Sequence, residues 1–196
     1  MSISIYKPNS NNNGCAFSFR YGVQKNGEPC LFVNSIKQHS WDSSTKTGNF
    51  SGNSDDPSKN LSIKFNEFEC GSIISAFKNR YEYNTFHNFE DNKTTIKFSP
   101  WDKQVKVSSL NTTTKKYEER KQVIPAFGIS ITRNGSDTFK ISLEPGEIEV
   151  ILEFIRIIIS KAITFRIKKQ IENLNSPKNS WLLYSFLLIY SNNDKI

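Results

Sequence analysis

The sequence predicts an α+β fold in which a strand-rich unit closed by a helix occurs twice. Three observations predict it. Short segments alternate apolar and polar residues with period two, the period changes to that of a helix near residues 68 and 145, and similar strand-to-helix steps recur in the two halves. A length of 196 residues suits one such domain with a terminal appendage.

In CAFSFRY, Phe17, Phe19 and Tyr21 fall on one face while Ser18 and Arg20 fall on the other, as in a half-buried strand. The Lys25–Glu28 turn leads into CLFVNSIK, the returning strand of a hairpin. Residues 43–60, rich in Ser, Gly, Asn and Asp, carry no period and read as a mobile loop. Leu61, Ile63 and Phe65 then alternate with Ser62 and Lys64 before a helical period begins at Phe68, Ile73, Ile74 and Phe77. Asn66 is the expected N-cap, with Glu67 and Glu69 in the first turn, where the helix dipole favours carboxylates.

The second half follows the same plan. YEYNTFHNF and TTIKFSPW read as strands, residues 102–122 as a polar Lys-rich loop, and AFGISIT with TFKISL as a hairpin around Asn134-Gly135. A helix starts near Pro145, with Ile148, Ile151, Leu152 and Ile155 on one face, and the pattern continues towards Phe165. Residues 173–179, with Pro177, read as a break before the apolar piece Trp181–Tyr190. Two internal matches support duplication. Ile-Lys-x-x-x-Trp-Asp occurs from Ile36 and again from Ile96, and the strand ends at Ile63 and Ile141 both enter helices through acidic residues. The first match makes Trp41 and Trp101 equivalent.

Lys and Arg total 26 against 19 Asp and Glu, a net charge of +7, which favours a polyanionic partner. Aromatic residues make up 13%, far above the content of a disordered basic tail. Cys15, Cys30 and Cys70 form no CxxC and have no His at ligand spacing, so reduced thiols are expected and neither a disulfide framework nor a zinc site. No secretory signal is read at the start and no apolar run is long and uncharged enough to span a bilayer, which predicts a cytoplasmic protein without membrane contact. Catalysis finds no support: His39 and His87 stand in no HxxxH or HExxH arrangement, Asp42 and Asp102 follow Trp without a second carboxylate, and no phosphate-cradling glycine loop occurs. No enzyme activity, metal or cofactor is expected.

Binding of single strands needs cations along the phosphates and aromatic faces for unstacked bases. The alternation sets Arg20, Lys64, Lys97 and Lys140 opposite the apolar residues of their strands, so they would share a face if the strands join one sheet. A solvated sheet face also carries such residues without binding anything. Trp41 and Trp101 suit either base stacking or closure of a core edge, and Tyr81, Tyr83, Phe86 and Phe89 read as core-facing.

The order of four strands and a helix, repeated and ending in ISITRNGSDTFKISLEPGEIEVILEFI, resembles the Whirly and positive-cofactor-four type of single-stranded nucleic-acid-binding fold. KISLEPGEIEVILEFI is similar to the end of those domains, LSIKFNEFECGSIISAF looks like its first-unit counterpart, and IKFNEF and IKFSPWD resemble segments of phage members. The resemblance covers about residues 13–158. It implies a domain over 1–158 with repeats at about 13–80 and 81–158, followed by a helical C-terminal extension over 159–196. It further implies a non-catalytic homo-oligomer, dimer or tetramer, that binds single-stranded DNA with little sequence preference in replication, recombination or transcription. The nearest positions for that contact are Arg20, Lys37, Lys64, Lys97 and Lys140, with Trp41 and Trp101 as stacking candidates. The Asn- and Lys-rich composition fits an AT-rich genome such as a phage's, which would place the protein in the host cytoplasm. An RNA-binding protein of the same fold and a non-catalytic assembly protein are the alternatives.

Overall fold

The computed structural model describes residues 1–89 and 91–174. The first unit comprises β1 (Ser2–Lys7), β2 (Cys15–Val23), β3 (Pro29–Lys37), a small ribbon of β4 (Ser40–Asp42) and β5 (Thr47–Asn49), β6 (Asn60–Phe65) and helix α1 (Glu67–Asn79). The second comprises β7 (Tyr83–Phe89), β8 (Asn92–Leu110), β9 (Tyr117–Arg133), β10 (Asp137–Leu143) and helix α2 (Pro145–Leu174). Antiparallel pairing gives two four-stranded sheets, ordered β1-β2-β3-β6 and β7-β8-β9-β10. The strand orders match one to one, so the chain is a duplicated four-strand-plus-helix unit.

Alternation buries one face of each sheet. Phe17, Phe19, Leu31, Val33, Ile63 and Phe65 from the first, and Ile96, Phe98, Phe127, Ile129, Ile131 and Phe139 from the second, join α1 and the first half of α2 in one core. Phe77 of α1 ties the layers together, edge-on to Phe98 and Phe127 at ring distances of 5.8 and 4.7 Å. Helix α1 starts as expected: the Asn66 side chain accepts from the N–H groups of Phe68 and Glu69, and Glu69 Oε2 accepts from Asn66 N–H at 3.0 Å. It stops at Arg80, whose φ of 52° is left-handed. Helix α2 begins at Pro145 and is held further along by Arg166, which pairs with Glu28 in the β2–β3 turn and with Glu67 of α1 at 2.6 Å. Both hairpin turns fall where expected, with φ above zero at Gly27, Asn134 and Gly135.

Several expectations are corrected. Ser2–Lys7 adds an edge strand that the reading of the first repeat from about residue 13 leaves out; its Ile3 and Ile5 alternate, but over too few residues to stand out beside the Asn-rich loop. Residues 43–60 are not a structureless loop. They contain β5 and a 3-10 turn at Ser51–Asn53, with Phe50 edge-on to Tyr6 and the Asn60 amide donating to the carbonyls of Asn53, Ser54 and Asp56. Residues 102–122 are mostly strand: β8 and β9 stay paired from Asp102↔Pro125 to Leu110↔Tyr117, an arm of about 30 Å. Its side chains stay in solvent on most positions, so its alternation carries little hydrophobic contrast. The Ile36 and Ile96 match pairs non-equivalent strands, the third of one sheet with the second of the other, so Trp41 and Trp101 are not counterparts. The strand-end match of Ile63 with Ile141 does join the equivalent strands β6 and β10. Helix α2 runs without a break across residues 158 and 159 to Leu174, while most of the expected break and all of Trp181–Tyr190 lie outside the described residues.

Candidate nucleic-acid interface

On β8 the side chains of Lys97, Ser99 and Trp101 point the same way, outward from the core. The register continues this face as rows: Asn84, Lys97, Ser130 and Lys140 in one, and Ser99, Gly128 and Ser142 in the next. The end of β1 and the loop after it rise beside them with Lys7, Asn9 and Asn13. Together they enclose a groove of about 610 Å³ lined by Lys7, Lys97, Trp101 and Lys140, with no carboxylate in its lining. Gly128 keeps the floor low, for a Cβ there would meet only the Ser99 carbonyl oxygen, at 3.9 Å. Trp101 is 40% exposed and is set by Arg80, whose guanidinium donates to the Trp101 carbonyl at 3.4 Å and to Asp102 Oδ1 at 2.9 Å.

The cations of this groove differ in how free they are. Lys7 is paired with Glu147 at 2.6 Å, and Lys97 with Glu82 at 2.7 Å in a half-exposed pair that holds the Glu82 carboxyl below its ordinary value. Lys140 makes no ion pair among the described residues. The chemistry offered is a flat floor of hydroxyls and a glycine, one indole face and a bank of ammonium groups. Those parts suit a stacked base with a phosphate alongside.

Arg20 and Lys64 stand on the outer face of the first sheet, in the row Ser2, Arg20, Phe32, Lys64. The Arg20 guanidinium lies 4.9 Å from the centre of the Phe32 ring, and Lys64 donates to Gln24 Oε1 at 3.3 Å. Lys64 and Phe32 line a second groove, of about 800 Å³, between the facing edge strands β6 and β7. The strands join two sheets rather than one, so these cations lie on two faces. In the duplicated register the Lys97–Lys140 row corresponds to Ser18–Ser62, one step away from Arg20–Lys64.

Lys37 is corrected. Alternation puts it on the inner face, where it pairs with Asp137 at 3.0 Å over the Phe139 ring at 5.0 Å, locking one sheet to the other. Trp41 is half-buried on the β4–β5 ribbon opposite Gly48, and neither groove includes it. Phe86 and Phe89 are also corrected from core to surface, at 72% and 73% exposure: alternation turns Phe86 to the outer face of β7, and Phe89 ends the strand. Reasoning from sequence missed Lys7, Gly128 and Phe32. Only the sheet register brings them to the grooves, although the alternation of Phe32 with Leu31 and Val33 does mark it as outward-facing.

His87 lies between the sheets, its Nε2 at 2.6 Å from Glu69 Oε1. Burial works against the charge on Glu69, but bonds from His87, the Asn66 N–H and Thr85 outweigh it and hold the carboxyl below its ordinary value. Burial raises the thiols of Cys15 and Cys30 and pushes Cys70 up to about 12, so all three stay protonated. Among the described residues no group of three or more His, Cys, Asp or Glu is placed to hold a metal, and no helix is long and apolar enough to cross a membrane.

No family model and no curated protein sequence matches the chain. Its structure is similar to WHY1 from Arabidopsis thaliana, with a TM-score of 0.52 at 13% identity over 90% of this chain and 94% of that one. It is similar also to WHY3 from Arabidopsis thaliana, with a TM-score of 0.50 at 11% identity over 87% and 92%. With two antiparallel four-stranded sheets, each closed by a helix, the chain has a Whirly-like fold.

Proposed function

We propose that this protein binds single-stranded nucleic acid, DNA by preference, with most of its affinity independent of sequence and without catalysis. The observation that carries the reading is the groove joining Trp101 to Lys7, Lys97 and Lys140 over a floor without carboxylates. Phosphates would exchange their counterions for these ammonium groups, and a base would stack on the indole. The net charge of +7 and the Whirly-like fold support the same reading. Self-association belongs to it as well: beyond Ala162, the last buried position of α2, Ile163, Ile167, Ile171 and Leu174 form an exposed apolar stripe of helical spacing. The setting we assign is DNA replication, recombination or transcription, in a phage-type context within the host cytoplasm.

The test is fluorescence anisotropy of a labelled thymine oligonucleotide over a salt series, with duplex DNA and matched RNA as competitors. Salt-sensitive binding that duplex does not displace is the expected result. Displacement by RNA at equal concentration would remove the DNA preference. No binding at low salt would refute the reading and favour an assembly role, in which the α2 stripe serves subunit contacts alone.

A further inference from the structure

The groove between β6 and β7 differs in kind from the first. It carries amide side chains, and their hydrogen bonds fix which end of each faces free. Asn66 Oδ1 is taken by the N–H groups of Phe68 and Glu69, each at 2.9 Å. Gln24 Oε1 is taken by Lys64 at 3.3 Å. Asn134 Oδ1 accepts from the Lys93 N–H at 2.9 Å, so Asn134 must donate through Nδ2, and it does so to Asn92 Oδ1 at 3.1 Å. None of these orientations is ambiguous, because each oxygen faces a group that can only donate. Among the described residues, the NH₂ ends of Asn66, Gln24 and Asn92 have no partner. Lys64 adds ammonium donors and makes no ion pair among the described residues. The Glu69 carboxylate in the lining already takes His87 and Thr85 on Oε1 and Asn66 N–H on Oε2, which leaves it little acceptor capacity for a ligand. The open hydrogen-bonding capacity of the groove is thus dominated by donors, and Phe89, 73% exposed, stands in its lining as a stacking face.

We infer that this groove is a base-reading pocket that takes one keto base (guanine, thymine or uracil) of a bound single strand, stacked against Phe89. Guanine presents a carbonyl oxygen at C6 and thymine or uracil one at C4, at the positions where adenine and cytosine carry an exocyclic NH₂. The exocyclic NH₂ of an amino base would face these donors at the position where a keto base offers an oxygen, and a polar site disfavours a ligand that leaves its groups unpaired there. The pocket's volume of about 800 Å³ admits a nucleotide with room for solvent. The inference rests on the single-strand reading above and adds to it a modest base preference.

The test compares thymine and cytosine 12-mers at neutral pH. The two differ in the keto and amino groups while sharing a pyrimidine ring and the same backbone. Wild-type protein should bind the thymine strand roughly tenfold more tightly, the lower part of the range for base discrimination by hydrogen bonds. Gln24→Glu with Asn92→Asp replaces free donors by acceptors, at one half-buried and one exposed position, and should bring the ratio to within about twofold. Phe89→Ala should weaken both strands. Equal, tight binding of the two strands by wild type, or a preference that survives the double variant, would overturn the pocket while leaving the single-strand reading intact. Failure to bind either strand would overturn both.

Discussion

Replacing Lys140 by Ala removes an ammonium group that no carboxylate neutralises in the described structure and that lines the Trp101 groove. Each phosphate of a single strand that the protein contacts contributes about 0.7 to the slope of log affinity against log salt. Loss of one contact should therefore flatten the slope by about 0.7, equivalent to roughly 2.6-fold in affinity over a fourfold change of salt. Lys97 should count for less, since its bond to Glu82 at 2.7 Å must be shared or broken before it serves a phosphate. Lys37→Ala should leave the slope unchanged, because that ammonium lies between Asp137 and the Phe139 ring on the inner face. Anisotropy of a labelled thymine 12-mer between about 50 and about 200 mM salt reads all three variants. A Lys140→Ala slope equal to wild type, or a Lys37→Ala slope flatter than that of Lys140→Ala, would refute the assignment of cations to faces.

Gly14→Ala should destabilise the wall of the same groove by about 1 to 3 kcal/mol, since its Cβ would overlap the Lys7 carbonyl and the Gln38 side chain; an unchanged denaturation midpoint would count against that packing. Phe77→Ala should cost about 3 to 5 kcal/mol in urea unfolding, because the ring joins α1 to Phe98 and Phe127 in the core, and a loss below about 1 kcal/mol would show that the layers do not meet there. Hydrogen bonds from the Ser44 and Thr45 hydroxyls and N–H groups pull the Asp42 carboxyl down to about 2. Folding thus favours its ionised form, and that contribution is present above the ordinary carboxylate range and lost as pH falls through about 2. Ser44→Ala should raise the midpoint of the Asp42 carboxyl signal in an NMR titration; a midpoint still near 2 would exclude Ser44 as a cause.

What was legible in the sequence depended on hydrophobic contrast. β2, β3, β6 and β10 each bury one face, so Phe17 with Phe19 or Phe139 with Ile141 announces the alternation. The far halves of β8 and β9 bury neither face, and Lys106 opposite Lys121 gives no contrast to read. The helix starts were legible through local chemistry: an Asn followed three residues later by Glu, and a Pro at a first helical position. The binding faces were legible only in part. Alternation correctly turned Arg20, Lys64, Lys97 and Lys140 outward, yet which of them face one groove depends on sheet register and on the loop after β1, which are non-local. Lys37 shows the limit most plainly. It is a lysine at the end of an alternating strand, but the face it shares with Cys15 and Phe17 is the buried one, and its partner Asp137 is a hundred residues away.

The most direct measurement of the central claim is photo-crosslinking of a single strand carrying 5-iodouracil, followed by mass spectrometry of the adducts. The strand should couple to Trp101, with further adducts at Phe89 if a base also enters the second groove. Adducts on Trp41 without Trp101, or none under conditions where the strand is bound, would contradict the placement of the nucleic acid in the groove of Lys97, Trp101 and Lys140.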